Sequence, residues 1–425
     1  MKIAIVGYGV EGQESFRYWS KDLANDITIV DQNEQLQAPE GVKTIVGSNA
    51  FDNLNGFDLV VRSPGIAPYR ITTDGKMWSG TNEFFKKCPA EIIGITGSKG
   101  KGTTASLIAS ILEAAGRKVW LVGNIGISAL EVLEQIQPDD FVVYELSSFQ
   151  LWDIEMSPRT AVVLFIEHEH LDVHRDMEDY VNAKGNIARF QAPGDLLVFN
   201  AENEYARSIA ESSKAQKIGF PEQGTAHVQD GKFMYGEHII CSTDELKIPG
   251  AHNILNTLAA IDAGWKFTQD IAAITKAIQE FKGLEHRLLF VREVDNVSYY
   301  DDSIATTPTS AVAGLRAFEG PKVVILGGSS KGSDFSELAN EMLKHDVRAI
   351  LIGDEAKRIA ESFTQAGFEG FEIMEAPTMD KVVARASELA KPHSTVLLSP
   401  AAASFGLFKN YADRGQQFID AVTRL

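Results

Sequence analysis

The sequence has little cysteine, no long apolar run and no excess of basic residues. Its two cysteines, Cys88 and Cys241, lie far apart, without a CxxC pair or the His/Cys spacing of a zinc site. This indicates free thiols in a reducing cytosol and excludes a disulfide-stapled scaffold. No stretch reaches the roughly 18 apolar residues of a membrane-spanning helix. The N-terminal run breaks into glycines where a signal peptide needs a longer apolar region.

The charge balance restricts the classes of ligand. The chain has 40 basic and 58 acidic residues, a net charge of -18, which disfavours nucleic acid and anionic membranes. Any phosphate ligand must therefore be held locally by amides, lysines and metal. The chain has 425 residues, of which 44% are hydrophobic and 23% charged. This composition excludes a disordered protein, and the length predicts domains of about 150 residues each.

Short apolar runs alternate with helical patterns along the chain, which is typical of parallel sheets covered by helices on both faces. The clearest helix follows Thr103, and Gly116 is placed to end it. The segment His227–Ile248 predicts short strands around an Asp230-Gly231 turn, a small antiparallel addition. The predicted strands are Lys2–Val6, Ile27–Val30, Leu59–Val61, Ile92–Thr96, Val119–Val122, Phe141–Leu146, Ala161–Ile166, Leu196–Phe199, Val323–Leu326, Ala349–Ile352 and Thr395–Leu398.

Two boundary segments, called seams below, divide this α/β pattern into three predicted domains. The first seam is the polar, Gly- and Lys-containing segment Asp74–Pro89, and the second is Lys282–Glu285 after an amphipathic helix. The predicted domains are residues 1–90, 91–283 and 284–425.

A glycine-rich turn follows the first predicted strand. The segment Gly7-Tyr8-Gly9-Val10-Glu11-Gly12 precedes a helical stretch, and Asp31 ends the next strand. In this dinucleotide-binding pattern, glycines allow a tight turn and a helix N-terminus faces a phosphate. By itself the pattern suggests NAD, and it leaves open another nucleotide or a domain that binds none. The turn Ser63-Pro64-Gly65 is predicted at the same sheet edge.

A second glycine-rich loop follows the strand Ile92–Thr96. The segment Gly97-Ser98-Lys99-Gly100-Lys101-Gly102-Thr103-Thr104 leads into a helix. A strand, a glycine loop, a lysine, a hydroxyl and a helix in this order predict binding of a nucleoside triphosphate. The loop departs from the strict P-loop pattern, because Gly102 separates Lys101 from Thr103.

Polar clusters follow two later predicted strands, where parallel sheets bind their ligands. They are Glu145–Gln150 and Glu167–Asp172, followed by Lys184. Glu145 is a candidate Mg2+ ligand, because magnesium prefers oxygen donors. The His/Glu cluster leaves Zn2+ open as an alternative, although it lacks a third well-spaced nitrogen or sulfur ligand.

Taken in order, these motifs resemble the glutamate-adding branch of the muramyl ligase family over nearly the whole chain. The final segment, Ser399–Gly415, is the most specific to that branch. The matching segments are Gly7–Gly12, Ser63–Ile66, Thr96–Thr104, Gly123–Gly126, Glu145–Gln150, His170–Asp172, Lys184, His252-Asn253 with Asn256, His286-Arg287, Asp302–Thr306, Gly327-Gly328 with Lys331-Gly332, and Ser399–Gly415.

The resemblance implies a cytoplasmic, ATP- and Mg2+-dependent ligase of peptidoglycan precursor synthesis, which serves the cell wall, cell shape and cell division. It adds glutamate to UDP-N-acetylmuramoyl-L-alanine through an acyl phosphate. The implied fold has an N-terminal Rossmann-like domain for UDP, a central P-loop ATPase-like domain and a Rossmann-like C-terminal domain for the amino acid. This overrules the NAD interpretation. We expect a monomer without a nucleic-acid partner or membrane insertion.

The resemblance also implies the site residues. The catalytic residues are Lys101, Glu145, His170 and Lys184, the last carbamylated. The ATP contacts are Gly97, Ser98, Lys99, Gly100, Lys101, Gly102, Thr103, Thr104, Asn256, Arg287 and Asp302. The UDP-substrate contacts are Gly9, Val10, Glu11, Asp31, Ser63, Gly65, Asn124, Ser147 and His170. The glutamate contacts are Thr306, Lys331, Ser404, Phe405 and Tyr411, and the metal ligands are Thr103, Glu145, His170 and Lys184.

Three positions depart from the family pattern. Gly102 stands where this branch more often has a hydroxyl, and Gln32-Asn33 stand where a basic residue often meets the UDP phosphates. Ile304 replaces a lysine that would face the glutamate carboxylate, in a segment that resembles a variant group adding L-glutamate. We expect D-glutamate as the substrate and keep L-glutamate as the alternative.

Two further alternatives remain at this point. The Gly-Lys-Gly-Thr loop also resembles folylpolyglutamate synthases, although those enzymes begin directly with the ATPase domain. A non-catalytic nucleotide-binding protein with the same fold is the other alternative, and the presence of Lys101, Glu145, His170 and Lys184 disfavours it.

Overall fold

The structure is a computed structural model that describes residues 1–123, 127–171, 173–222, 224–329, 333–375, 377–404 and 407–425. In this part of the chain the strands form four sheets. Contacts divide the chain into two compact units. Unit 1 comprises Met1–Glu245 and Ile254–Gln279, and unit 2 comprises Leu246–Asn253 and Glu280–Leu425.

The first sheet of unit 1 is parallel, with strand order β3-β2-β1-β4-β5. Ile3, Ala4, Ile5 and Val6 are all fully buried. Because successive side chains point to opposite faces, both faces of this strand are covered. The elements are β1 (Lys2–Val6), α1 (Val10–Trp19), β2 (Asp26–Asp31), β3 (Lys43–Val46), β4 (Leu59–Arg62), β5 (Lys76–Ser79) and α2 (Gly80–Lys87).

The second sheet of unit 1 is also parallel, with the order β11-β10-β9-β6-β8-β7. The phosphate loop and the Glu145 loop follow β6 and β8, which are neighbours in this sheet, so the topology brings both loops to one edge. The elements are β6 (Glu91–Thr96), α3 (Lys101–Ala114), β7 (Val119–Gly123), α4 (Ala129–Val132), β8 (Phe141–Glu145), α5 (Ser148–Leu151), β9 (Thr160–Val163), α6 (Met177–Arg189), β10 (Leu196–Asn200), α7 (Glu204–Ser212) and β11 (Gln216–Phe220).

A small antiparallel sheet follows and confirms the predicted addition. Its strands are β12 (Ala226–Gln229), β13 (Lys232–Tyr235) and β14 (His238–Ser242). The helices α8 (Ala251–Trp265) and α9 (Ile271–Glu280) come next. Asp262 on α8 accepts a hydrogen bond from the Ala226 amide of β12 at 2.8 Å.

The sheet of unit 2 has the order β15-β16-β20-β17-β18-β19, in which the β15–β16 pair is antiparallel and the other pairs are parallel. Helices follow β17, β18 and β19 in alternation, as in a Rossmann-like domain. The elements are β15 (Leu289–Val294), β16 (Val297–Asp301), α10 (Pro308–Arg316), β17 (Lys322–Gly327), α11 (Ser336–Met342), β18 (Val347–Ile352), α12 (Ala356–Ala366), β19 (Phe371–Met374), α13 (Met379–Leu389), β20 (Thr395–Leu398) and α14 (Tyr411–Thr423).

The predicted strands are all confirmed, and the predicted seam Asp74–Pro89 contains regular structure. This segment contains β5, which pairs with β4, and α2. Ser79 caps α2 by accepting a hydrogen bond from the Asn82 amide at 3.1 Å. Trp78 and Phe84 are buried, whereas the surrounding polar side chains belong to an edge strand and a helix face. The polar composition of this segment therefore did not indicate the strand and the helix that it contains.

The division into three domains stays a prediction. Residue 90 lies within unit 1, between α2 and β6, where the chain passes from the first sheet to the second. In the described part of the chain, no helix is both long and apolar enough to cross a membrane.

Candidate active site

The loop between β6 and α3 places the predicted phosphate-binding residues at a helix N-terminus. Gly100 is the N-cap of α3 with φ of 87°, and glycine has no side chain that could cap the helix. The first turn of α3 therefore presents the positive end of the helix dipole to an anion. A β-carbon at Gly100 would overlap the carboxamide of Asn256, so α8 brings Asn256 against this loop.

Two lysines converge on the same loop. The ammonium group of Lys101 donates to the carbonyl oxygens of Gly97 at 3.0 Å and Ser98 at 2.8 Å. Lys184, on α6, donates to the Gly97 carbonyl oxygen at 2.8 Å. The structure thus brings together Lys101 and Lys184, which are far apart in sequence.

Lys184 has an unusual environment for a lysine. It is 1% exposed, and its nitrogen lies 4.5 Å from the centre of the Tyr180 ring. Burial and the positive charge of Lys101 hold the pKa of Lys184 well below its ordinary value, against the opposing charges of Glu169 and Glu145. A lysine with a lowered pKa is more readily the neutral amine, which is the form that reacts with electrophiles such as CO2.

Tyr180 fixes the phosphate loop, and the sequence did not single it out. Its hydroxyl lies 2.9 Å from that of Ser98 and donates to the Glu169 carboxylate at 3.2 Å. Ser98 also donates to the Glu167 carbonyl oxygen at 3.1 Å, and Lys99 forms an ion pair with the Glu167 carboxylate at 2.5 Å. The only sequence signal for Tyr180 is its position one helical turn before Lys184.

The predicted metal ligands offer mainly oxygen donors. Glu145 ends β8 and is 5% exposed, and Thr103 in the first turn of α3 is 7% exposed. His170 is half-exposed with φ of 57°, and its ring centre lies 4.9 Å from that of Phe149. Among the described residues, no group of three or more His, Cys, Asp and Glu side chains could hold a metal ion. One buried carboxylate and a hydroxyl fit Mg2+, which keeps several waters and phosphate ligands. The Zn2+ alternative at the His/Glu cluster gains no third ligand among the described residues.

Two predicted UDP residues, Asp31 and Ser63, lie at the edge of the first sheet and bind neighbouring backbone. Asp31 accepts hydrogen bonds from the amides of Tyr8 at 2.7 Å and Asn33 at 2.9 Å. The hydroxyl of Ser63 donates to the Gly7 carbonyl oxygen at 2.7 Å. Both side chains hold the glycine turn in place, and their contact with UDP stays a prediction.

Glu11 connects the glycine turn to the second sheet. The Gln150 amide donates to the Glu11 carboxylate at 3.1 Å, and the Gln150 carbonyl oxygen accepts from the Ser147 amide at 2.9 Å. Burial and the nearby Glu14 raise the pKa of Glu11 to about 7, against the charge of Arg62. Glu11, Glu14 and Gln150 border a cavity of about 500 Å³. Three further predicted residues lie on the glycine turn and the Ser63 turn: Gly9 is the N-cap of α1, Val10 is 76% exposed and Gly65 is exposed.

The two predicted nucleotide residues of unit 2, Asp302 and Arg287, differ in their exposure to solvent. Asp302 is 4% exposed and accepts hydrogen bonds from the Ser399 hydroxyl at 2.7 Å and the Leu288 amide at 3.2 Å. Burial raises the pKa of Asp302 to about 7, against the charge of Arg287. Arg287 itself is exposed. The Asp302 carboxylate therefore has partners within unit 2.

The segments that carry Thr306, Ser404 and Tyr411 are linked by a buried arginine, Arg414, which the sequence analysis named only as part of a motif. Arg414 donates to the Ser303 carbonyl oxygen at 2.8 Å and to the Ala402 carbonyl oxygen at 3.1 Å. Ser303 in turn donates to the Tyr411 carbonyl oxygen at 2.7 Å. Arg414 thereby joins three segments: the one that carries Ile304 and Thr306, the one that carries Ser404, and the start of α14. Ser404 is buried, Ile304 and Thr306 are half-buried, and Tyr411 is exposed.

Three predicted site residues, Asn124, Lys331 and Phe405, lie outside the described residues. The motif residues Asp172 and Gly332 do so too.

Comparison with known proteins identifies the family. Residues 95–264 match the Mur ligase middle domain, and residues 286–402 match the Mur ligase glutamate ligase domain. The chain is 35% identical to a UDP-N-acetylmuramoylalanine--D-glutamate ligase of Clostridium tetani, over 100% of this chain and 97% of the relative. The chain therefore belongs to the Mur ligase family, which confirms the resemblance.

Solved structures share the fold. The UDP-N-acetylmuramate-alanine ligase MurC of Thermotoga maritima aligns with a TM-score of 0.61 at 20% identity, covering 100% of this chain and 99% of that one. The MurF ligase of Thermotoga maritima in complex with ADP aligns with a TM-score of 0.58 at 16% identity, covering 99% and 95%. These alignments confirm the α/β fold of the family.

Proposed function

We propose that this chain is an ATP-dependent ligase that adds glutamate, with D-glutamate preferred, to UDP-N-acetylmuramoyl-L-alanine. The reaction belongs to cytoplasmic peptidoglycan precursor synthesis. The observation that carries the proposal is the convergence of Lys101 and Lys184 on Gly97 at the N-terminus of α3. The chain also aligns over its full length with a relative named UDP-N-acetylmuramoylalanine--D-glutamate ligase.

The first step is a phosphoryl transfer. An oxygen of the alanine carboxylate attacks the γ-phosphorus of ATP, and ADP leaves, which forms an acyl phosphate. Catalysis of such a step is mainly positioning and charge stabilisation. Lys101 and the amides of the α3 N-terminus would neutralise the phosphates, and Asn256 would contact the nucleotide from α8.

Mg2+, when bound, supplies further neutralisation of the phosphate charge. Thr103, Glu145 and His170 are the residues proposed to hold it, with Lys184 in carbamylated form. Carbamylation would replace the cation of Lys184 by an anionic carbamate that offers oxygen donors.

The second step forms the amide bond. The amine nitrogen of glutamate attacks the acyl carbon through a tetrahedral intermediate, the amine loses a proton, and phosphate leaves. Thr306, Ser404 and Tyr411 of unit 2 are proposed to hold the glutamate, together with Lys331 and Phe405. Exclusion of water matters here, because an acyl phosphate otherwise hydrolyses. We assign UDP, ATP and glutamate to residues 1–90, 91–283 and 284–425 respectively, and expect a monomer.

A second candidate is the same reaction with L-glutamate, and Ile304 is the observation that favours it. An isoleucine at this position removes the cation expected to face the substrate carboxylate. The amino-acid pocket therefore differs from the family pattern at a place where a cation would recognise the carboxylate.

Phosphate release from ATP tests the proposal. Release should require both UDP-N-acetylmuramoyl-L-alanine and glutamate, and it should be faster with the D-enantiomer. ATP binding without release would favour the non-catalytic alternative. Release with a folate acceptor in place of the UDP-sugar would favour the folylpolyglutamate synthase alternative.

A further inference from the structure

Arg62 is a buried arginine that no predicted role explains. It ends β4, directly before the Ser63-Pro64-Gly65 turn, and its side chain is 0% exposed. A buried guanidinium is costly unless each of its donors is satisfied. The contacts of Arg62 therefore indicate what it stabilises.

One part of the guanidinium binds the turn that follows it. A single terminal nitrogen, Nη1, donates to the carbonyl oxygens of Ser63 at 3.3 Å, Pro64 at 3.0 Å and Ile66 at 2.8 Å. These carbonyls belong to the turn that carries two predicted UDP-substrate residues, Ser63 and Gly65. Arg62 therefore fixes the backbone of this turn.

The rest of the guanidinium reaches the segment after β8. Nε and Nη2 donate to the two carboxylate oxygens of Asp153 at 2.8 and 2.6 Å. Nη2 also donates to the Phe149 carbonyl oxygen at 2.9 Å. This segment begins at the predicted substrate residue Ser147 and is held from its other side by the Gln150–Glu11 hydrogen bond.

We propose that Arg62 is a positioning residue for the UDP-linked substrate. It locks the Ser63–Ile66 turn of the first sheet onto the Ser147–Asp153 segment of the second. The two groups of substrate residues thereby keep one fixed spacing. This inference rests on the proposed function, because it assumes that both segments contact the UDP-sugar.

The guanidinium group is required for this role. Its planar fork binds the Asp153 carboxylate through two nitrogens while its third side faces the turn. A lysine at position 62 keeps the charge but has one nitrogen, so it cannot satisfy Asp153, Phe149 and the turn at the same time. The hydrogen bonds of Arg62 described above end outside the phosphate loop, so the effect should be specific to the UDP-linked substrate.

The test compares Arg62→Lys and Asp153→Asn with Arg316→Lys as a matched control. Arg316 also binds a buried carboxylate through two nitrogens, that of Glu341, and both residues belong to unit 2, whereas the two UDP-substrate segments belong to unit 1. We expect the KM for UDP-N-acetylmuramoyl-L-alanine to rise about tenfold in Arg62→Lys, with kcat and the KM for ATP within about twofold of wild type. Asp153→Asn should change the same KM, and the control should change none.

A merely structural role would reduce the fraction of folded enzyme and lower the apparent kcat at unchanged KM. That result, or wild-type kinetics in both variants, would overturn the inference. Amide hydrogen exchange of the whole chain provides a readout without substrate. Exchange should accelerate in residues 63–66 and 147–153 of Arg62→Lys but not in the control. Absence of ligation by the wild-type protein would refute the proposed function. Unchanged amide exchange in Arg62→Lys would separately refute the inference that Arg62 holds the two segments together.

Discussion

The ammonium nitrogen of Lys184 lies 2.8 Å from the carbonyl oxygen of Gly97, which also accepts a hydrogen bond from Lys101. The positive charge of Lys101 disfavours the charged form of Lys184, against the opposing charges of Glu169 and Glu145. Phosphates near Lys101 and carbamylation of Lys184 would both relieve this repulsion. The geometry thus links the lowered pKa of Lys184 to the proposed chemistry of the phosphate loop.

Replacement of Lys184 by alanine should lower ligation by about a hundredfold or more, because it removes a group that stabilises transferring charge. Small carboxylates added to the assay should restore part of the activity by occupying the place of the carbamate. Initial rates with and without such carboxylates measure both effects.

Lys217→Ala is the control for this experiment, since Lys217 is exposed on β11. It should retain wild-type rates and show no response to carboxylates. Normal activity of Lys184→Ala would refute the catalytic role, and loss without rescue would count against the carbamate.

Replacement of Gly100 by alanine should weaken ATP binding about tenfold or more. Gly100 has φ of 87°, so alanine carries a backbone cost of about 1 kcal/mol, and its β-carbon would also overlap Asn256. The loop or Asn256 must then move. Titration of the protein with a non-hydrolysable ATP analogue measures the change.

Gly116→Ala is the matched control at the other end of α3. Gly116 has φ of 78°, and a β-carbon there meets nothing within 4 Å. It should therefore share the backbone cost but leave the nucleotide affinity unchanged. Equal losses of affinity in both variants would show that strain, rather than the Asn256 contact, explains the effect.

Asp262 should make unit 1 less stable as the pH rises. It is 1% exposed, and burial raises its pKa to about 8. Between about pH 4 and pH 8, the unfolded chain loses a proton that the native carboxyl retains. The free energy of unfolding should therefore fall by up to roughly 1.4 kcal/mol per pH unit from this group.

Asp262→Asn should remove this contribution while keeping an acceptor for the Ala226 amide. Urea unfolding of the wild type and the variant at about pH 5 and pH 7 measures this contribution. From the lower to the higher pH, the free energy of unfolding of the wild type should fall relative to that of the variant. A difference that is independent of pH would contradict a retained proton at Asp262.

Replacement of Ile304 by lysine should lower the KM for glutamate about tenfold, because it restores a cation for the substrate carboxylate. Ile304→Met is the control for side-chain length without charge, and it should leave this KM unchanged. Steady-state kinetics with each enantiomer measures the effect. A raised KM in Ile304→Lys would indicate that the pocket binds the carboxylate by other donors.

The elements that the sequence predicted best are those with local signals. The continuous apolar runs predicted the central parallel strands, and the glycine spacing predicted the turn before α3. Edge strands such as β5 and β19 were missed, because each has only four residues and one of them is charged.

The candidate site was predictable only in part. Lys101 and Lys184 could be named from motifs, but their shared acceptor could not, because the α6 residue meets the loop only through the fold. Two partners of Arg62, Phe149 and Asp153, are likewise 87 and 91 residues away along the chain. A charged residue at the end of an apolar strand was the one available signal.

The measurement that tests the central claim most directly is mass spectrometry of the product. Purified protein would be incubated with UDP-N-acetylmuramoyl-L-alanine, ATP and either D- or L-glutamate. We expect a product that is heavier by one glutamate residue, formed faster from the D-enantiomer, with an equal amount of phosphate. Product from L-glutamate alone would contradict the assigned substrate. Phosphate without any amide product would contradict the ligase activity.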